Sequence, residues 1–300
     1  MKKIQKMMII AATMVATSSF AGITEDVNAA ILLRINKEYV ESIVALEKVI
    51  TDYPTADVNV LANVQMNIGY SLRSQHKFSE AVTVFEKVIT DYPTASVDIL
   101  ANAQLFICHV RNNQYKLPEA VTAFEKVITD YPTASVDILA NAQLSSGYAI
   151  IRQHKFAEAQ ASFEKVITDY PTARVSILAN AQLNIGISLN SQGKFVEAQS
   201  AFEKVITDYP TVSVNILANA QAQIGYSLRS QDKFIESSAA FLKIADYGDI
   251  DIMRKLVDKG INFTTADYIS FLGRVLVIVP ATEANAEFLG RVKSQLEVLK

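Results

Sequence analysis

The chain has 300 residues, 50% of them hydrophobic and 20% charged, with ten Gly, seven Pro and no Trp. That balance excludes a disordered or collagen-like chain and points to a well-packed, helical one anchored by Tyr and Phe. A formal net charge of −3, with acids and bases interspersed, gives no footing for nucleic acid, which needs Lys and Arg clustered on one face.

Residues 1–21 read differently from the rest. "MKKIQK" is a basic start, "MMIIAATMVA" a short apolar run, and "TSSFA" a small-residue end with Ser19 and Ala21 at the −3 and −1 positions of a cleavage site. This is the succession of a secretory signal peptide. The apolar run offers about half of the ~20 residues that a bilayer-spanning helix needs, so no integral span is expected. No Cys follows the cut, so lipidation there is not expected, and the product is expected to be periplasmic or secreted. Losing Lys2, Lys3 and Lys6 takes the formal charge from −3 to −6.

Residues 22–250 repeat themselves. "FEKVITDYPT" occurs at Phe85–Thr94, Phe124–Thr133, Phe163–Thr172 and Phe202–Thr211, with "LEKVITDYPT" at Leu46–Thr55. The prolines at 54, 93, 132, 171 and 210 are 39 residues apart at each step, a period that marks stacked helical units. In one copy, Phe195, Ala198, Phe202, Val205, Ile206 and Tyr209 recur at steps of three and four, one face of a helix. Ala181, Ile185, Gly186 and Leu189 do the same before it, and "NSQGK" supplies the turn. Each unit is therefore a helical hairpin. Pro210 pushes Tyr209 out of the helical region and ends the second helix, and Thr211 or Ser213 is placed to cap the next. The first unit, about 23–55, departs from the pattern, with Ala30 where Gly69, Gly147, Gly186 and Gly225 stand and Tyr39, Ser42 and Leu46 in the core phases. Cys108 takes the same phase as those glycines, which makes it a small residue at a close helix contact rather than a reactive thiol. As the single Cys it forms no internal disulfide.

The spacing of Ile185, Gly186, Leu189, Ala198, Phe202 and Pro210 resembles the tetratricopeptide repeat. The resemblance recurs from about Ile23 to Tyr247 and implies an all-α, right-handed α-solenoid of about six hairpins. Two features depart from the family: the period is 39 rather than 34, which lengthens the first helix of each unit, and Val205 stands where a small residue is usual. A "YP" followed by a small polar residue, with a long first helix, resembles the bacterial envelope branch, which includes the Tol–Pal-associated cell-division coordinator and outer-membrane assembly proteins. That resemblance implies a periplasmic adaptor.

Residues 251–300 read as two or three non-repeat helices, with "FLGRVLVIV" apolar enough to close the last unit as a cap. Catalysis is not expected anywhere. Glu86, Glu125, Glu164 and Glu203 are stamped out once per unit, whereas a catalytic constellation occurs once. His76 and His154 share a phase two repeats apart, too far to share a metal, and no phosphate loop or nucleophile motif is present. No cofactor or metal is expected.

What varies between copies is more informative. In the first helices, Asn67, Phe106, Ser145, Asn184 and Gln223 share one phase. Tyr70, His109, Tyr148, Ile187 and Tyr226 share the next, and Arg73, Asn112, Ile151, Asn190 and Arg229 the next again. Steps of three keep these on one helical face. The resemblance places that face in a concave groove, with Asn63, Asn102, Asn141, Asn180 and Asn219 near it. Rigid aromatic rings with Arg and Asn suit a protein or peptide ligand. The expected role is a peptide-binding adaptor of the bacterial envelope; the alternatives are a self-associating envelope scaffold, hence a homo-oligomer, or an exported effector acting on a host cell. Tyr148 and Tyr226 are expected at the surface, where loss of the ring costs little stability.

Overall fold

The computed structural model describes residues 22–112, 117–258 and 265–299; the signal segment expected over residues 1–21 lies outside them. Five second helices of the repeat close at an Asp, at Asp52, Asp91, Asp130, Asp169 and Asp208. The Tyr that follows holds φ between −123° and −127° where it is the cap, at Tyr53, Tyr92, Tyr170 and Tyr209, because the next residue is Pro. The following helix starts at Val58, Val97, Val136, Val175 or Val214 and runs for 16 or 17 residues, against 14 for most of its partners. The five extra residues of the period lengthen the first helix, as the spacing predicts.

Capping differs from expectation. Ser213 is the N-cap residue of its helix, but its side chain makes no capping bond. At two other helix starts the preceding repeat holds the residue before the helix: Asn59 Oδ1 accepts from the Ser96 amide at 2.6 Å, and Asp137 Oδ1 from the Arg174 amide at 2.7 Å. The loop is held from the adjacent unit, so the contact also ties repeat to repeat.

Contacts divide the described residues into two compact units, residues 22–112 with 129–134, and residues 117–128 with 135–258 and 265–299. In the first, α1 (Ile23–Ile35), α2 (Tyr39–Asp52), α3 (Val58–Ser74), α4 (Phe78–Asp91) and α5 (Val97–Asn112) pack each on the next. Leu46, Val49, Met66, Ile68, Phe85, Val88 and Ile107 form its core.

The second unit takes most of α6 (Leu117–Asp130), then α7 (Val136–Ile151), α8 (Phe156–Asp169), α9 (Val175–Ser191), α10 (Phe195–Asp208), α11 (Val214–Arg229), α12 (Phe234–Leu242) and α13 (Ile244–Tyr247). Phe163, Val166, Ile177, Ile185, Phe202, Val205 and Ile224 form its repeat core. Beyond α13 come α14 (Ile250–Asp258), α15 (Thr265–Ile278) and α16 (Ala286–Leu299). These share a second core with the last repeat, in which Ala218, Ala222, Phe241 and Ile244 meet Met253, Leu256, Phe271, Leu272 and Phe288.

One contact explains the glycine phase. At Gly69, Gly147, Gly186 and Gly225, a Cβ would lie under 3.0 Å from the ring of Phe85, Phe163, Phe202 and Phe241 respectively. These four Phe are fully buried, each with its ring against the bare backbone of the first helix. A buried glutamine ties the hairpin a turn away: Gln182 Nε2 donates to Ala201 O and Gln221 Nε2 to Ala240 O, both at 3.0 Å. The terminal repeats substitute Ser for the core Ala of the second helix. Ser42 Oγ donates to Ala30 O and Ser237 Oγ to Gly225 O, both at 2.8 Å, so each buried hydroxyl is satisfied.

Candidate functional site

The first helices carry the variable face, and its geometry is best described unit by unit. In the first unit, α3 presents Asn63, Asn67, Tyr70 and Arg73, and α5 presents Asn102, Phe106 and His109. Four aromatic and cationic side chains meet here. The Tyr70 ring stands edge-on to Phe106 with centroids 4.8 Å apart, and Phe106 stacks on the core Phe85 at 5.5 Å. The Arg73 guanidinium lies 4.8 Å over the Phe106 ring, and His109 sits 6.1 Å from that ring. Burial, with help from Arg73, lowers the His109 pKa to about 4, so the imidazole is neutral at physiological pH. Burial raises the Tyr70 hydroxyl, against the pull of Arg73 and Arg34.

Arg34 is the residue that the sequence reading missed. It lies on α1, its guanidinium 5.9 Å from the Tyr70 centroid. The signal was present, since Arg34 stands one 39-residue step before Arg73, but the first unit departs from the repeat pattern and the column was not extended into it.

In the second unit, α7 carries Asn141 and Tyr148, α9 carries Asn180 and Asn184, and α11 carries Asn219, Gln223, Tyr226 and Arg229. Asn184 is only 8% exposed, which takes it off the surface. Its amide donates to the Tyr148 hydroxyl at 3.1 Å and to Asn180 O at 2.7 Å, so it positions Tyr148 rather than facing a ligand. Tyr148 stands edge-on to Phe163 at 5.5 Å and Tyr226 to Phe241 at 5.1 Å. These rings are half-buried and pack against the cores. They are thus partly structural, which corrects the expectation that they cost little to remove. Asn102, Asn141, Asn219 and Gln223 are half-buried.

The asparagines also differ from the donors expected of them. Asn63, Asn67 and Asn180 each give a side-chain N–H to the carbonyl four residues back, at 2.7 to 2.9 Å. Part of each donor capacity is spent within the helix, which leaves Oδ1 as the acceptor of each amide. The face therefore combines amide acceptors with guanidinium donors.

His76 and His154 have another explanation. Both hold φ at +60° in the hairpin turn, at the phase where Lys37, Gly193 and Asp232 also take positive φ. Among the described residues, no three His, Cys, Asp or Glu converge as a metal site, and no helix is long and apolar enough to cross a membrane. Cys108 is buried in α5. Grooves also run between successive second helices, as between α8 and α10 over a floor of Ile185 and Leu189. Their rims of Glu164, Glu197 and Lys204 belong to the repeated part of the sequence, so they follow from hairpin stacking alone.

Residues 63–95 and 180–211 agree with a known repeat model. Both stretches match the tetratricopeptide repeat. Solved structures share the fold at low identity. A tetratricopeptide repeat protein from Parabacteroides merdae matches at 14% identity over 90% of this chain and 98% of its own, with a TM-score of 0.54. The apo quorum sensor NprR from B. thuringiensis matches at 12% over 99% and 88%, with a TM-score of 0.62. BtubC (BKLC) from P. vanneervenii matches at 12% over 76% and 91%, with a TM-score of 0.60. No curated protein matches the sequence. The tetratricopeptide match thus covers two hairpins of the chain, and the solved structures share its helical fold.

Proposed function

We propose that this protein is a non-catalytic adaptor that binds a protein or peptide segment on the variable face of its first helices, and that it works in the bacterial cell envelope after cleavage behind Ala21. One observation carries the reading. The side chains that change between otherwise near-identical repeats are mostly Asn, Tyr, Arg and Phe, and those placed on the odd-numbered helices include aromatic rings that are half-buried and buttressed by a core Phe. Rings fixed in this way offer contact area with little further loss of freedom on binding. Export rests on the basic, apolar and small-residue succession of residues 1–21.

The test is site-specific photo-crosslinking in producing cells. Adducts should form from a probe at Tyr70 or Tyr226 and not from one at Glu86 or Glu203. Equal labelling from both sets, or none from the Tyr positions, overturns the reading. Intact mass of exported protein should show Gly22 at the N-terminus; a product retaining Met1 overturns the processing.

A second reading has its own observation. The C-terminal helices leave Val277 85% and Val298 84% exposed, and apolar side chains of this size favour self-association. Light scattering distinguishes the two: a scaffold forms large assemblies that Val277→Lys disperses, whereas an adaptor stays monomeric or a small closed oligomer.

A further inference from the structure

Seven arginines of the described chain fall into two sets. Arg174, Arg254, Arg274 and Arg291 each sit on a carboxylate, with Asp137, Asp251, Asp246 and Asp258. Among the described residues, Arg34, Arg73 and Arg229 have no such ion pair, and all three occupy one phase of the 39-residue repeat. The chain has more acids than bases, so a column of guanidiniums without carboxylates runs against its composition. In the first unit, two of them flank one aromatic pair, Arg34 at Tyr70 and Arg73 at Phe106. Arg34 Nε is moreover buried without a hydrogen-bond partner, which leaves a cationic donor desolvated and unsatisfied. Arg73 and Arg34 are the charges that act on the Tyr70 hydroxyl, and Arg73 also acts on His109.

We propose that this face of the first unit recognises side-chain carboxylates of an acidic, extended segment of a partner protein, gripped by Arg34 and Arg73 across the Tyr70 and Phe106 rings. The proposal rests on the adaptor reading and names the chemistry of its ligand. Stacking on a ring holds a guanidinium flat and leaves its edge free for bidentate pairing with a carboxylate. Packed helices lie ~8–10 Å apart, and an extended polyproline II segment advances ~3.1 Å per residue with three residues per turn, so side chains three apart share one edge. Guanidiniums on successive first helices therefore match acids about three residues apart, with the two residues between them over the rings. A C-terminal carboxylate provides one anion and leaves the second arginine unpaired, so side-chain acids fit better.

The experiment uses the full chain purified after export, with two blocked fluorescent decapeptides, one of repeating Glu-Leu-Leu and the other with Gln in place of each Glu. The Glu peptide should bind at least tenfold tighter than the Gln peptide and weaken with salt. Arg34→Gln and Arg73→Gln should each lower its affinity at least fivefold with unchanged melting curves. Lys165→Gln, which removes one positive charge from an exposed second-helix site, should leave binding as it is. Equal binding of the two peptides, failure of both to bind, or indifference to Arg34→Gln and Arg73→Gln overturns the proposal. So does preference for a Gln peptide with a free C-terminus, or for anionic vesicles over the Glu peptide. Should photo-crosslinks from Tyr70 persist in cells while the Glu peptide fails, the adaptor reading stands and the acidic ligand alone falls.

Discussion

Burial and the Arg73 guanidinium hold the His109 imidazole neutral, with its pKa lowered to about 4. An unfolded histidine titrates near 6.5, so below that pH the unfolded chain binds a proton that the folded one refuses. Stability of the first unit is therefore full above pH 6.5 and declines as pH falls toward 4, by ~3 kcal/mol at the limit. His109→Tyr, the residue type at this phase in Tyr70, Tyr148 and Tyr226, should flatten that decline when chemical denaturation is followed from pH 7 to 4.5; an unchanged slope means that His109 is not its source. The turn histidines call for the opposite change. His154 holds φ at +60°, a left-handed conformation that costs an L residue ~1–2 kcal/mol, while Gly193 occupies the same turn position one repeat on. After the entropic penalty of glycine, His154→Gly should raise stability by ~0.5 kcal/mol, seen as a higher denaturation midpoint; a lower midpoint refutes it. This turn was legible in the sequence, since His76, His154 and Gly193 share a phase. The low pKa of His109 was not, because it depends on burial in the folded unit and, after that, on an arginine one repeat away.

At the scale of the hairpin, the decisive contact is backbone against ring. Gly186→Ala should force the Phe202 ring from its place at a cost of ~1–3 kcal/mol, and Phe202→Ala should leave a cavity costing ~3–5 kcal/mol. The two act on one contact, so the double variant should be less destabilised than the sum of the singles; additive melting data would show that the two residues do not meet. The period, the hairpins and this small-residue phase were all legible, because each is fixed by local periodicity and by repetition. The double role of the tyrosines was not. Tyr148 lies at the border of the buried face, where spacing of three or four residues does not separate a surface ring from one leaning on Phe163. With its ring on that core and its hydroxyl held by Asn184, Tyr148→Ala should cost ~2–3 kcal/mol, while Tyr148→Phe keeps the packing and loses mainly the hydrogen bond, about 1 kcal/mol. A Tyr148→Ala variant that melts like the parent would return the ring to the surface.

At the scale of the molecule, a repeat array faces the difficulty that its ends expose what its middle buries, since each hairpin covers only its neighbours. At the C-terminal end, the second unit answers with a different kind of core. Met253, Leu256, Phe271, Leu272 and Phe288 from α14, α15 and α16 close over Ala218, Ala222, Phe241 and Ile244 of the last repeat. The closure is also pinned by polar contacts, with Arg274 bonded to Asp246 at 2.9 Å and to Leu242 O at 3.3 Å. These helices carry no repeat signature, and the sequence marked them as a cap only through the apolar run "FLGRVLVIV". Truncation after Tyr247 should thus uncover Phe241 and Ile244, both now fully buried. Each large apolar side chain released to water forfeits ~1.5–3 kcal/mol, more than the short α12 and α13 can make up. The truncated chain should lose α12 and α13 first, since unfolding in an array starts where a unit has one neighbour instead of two. Two measurements follow this: a lower and broader thermal transition by circular dichroism, and aggregation by light scattering as the freed apolar face finds other copies. A truncated chain that stays soluble with the parent melting curve would mean that the last repeat closes itself, and that α14 to α16 serve some purpose other than sealing the array.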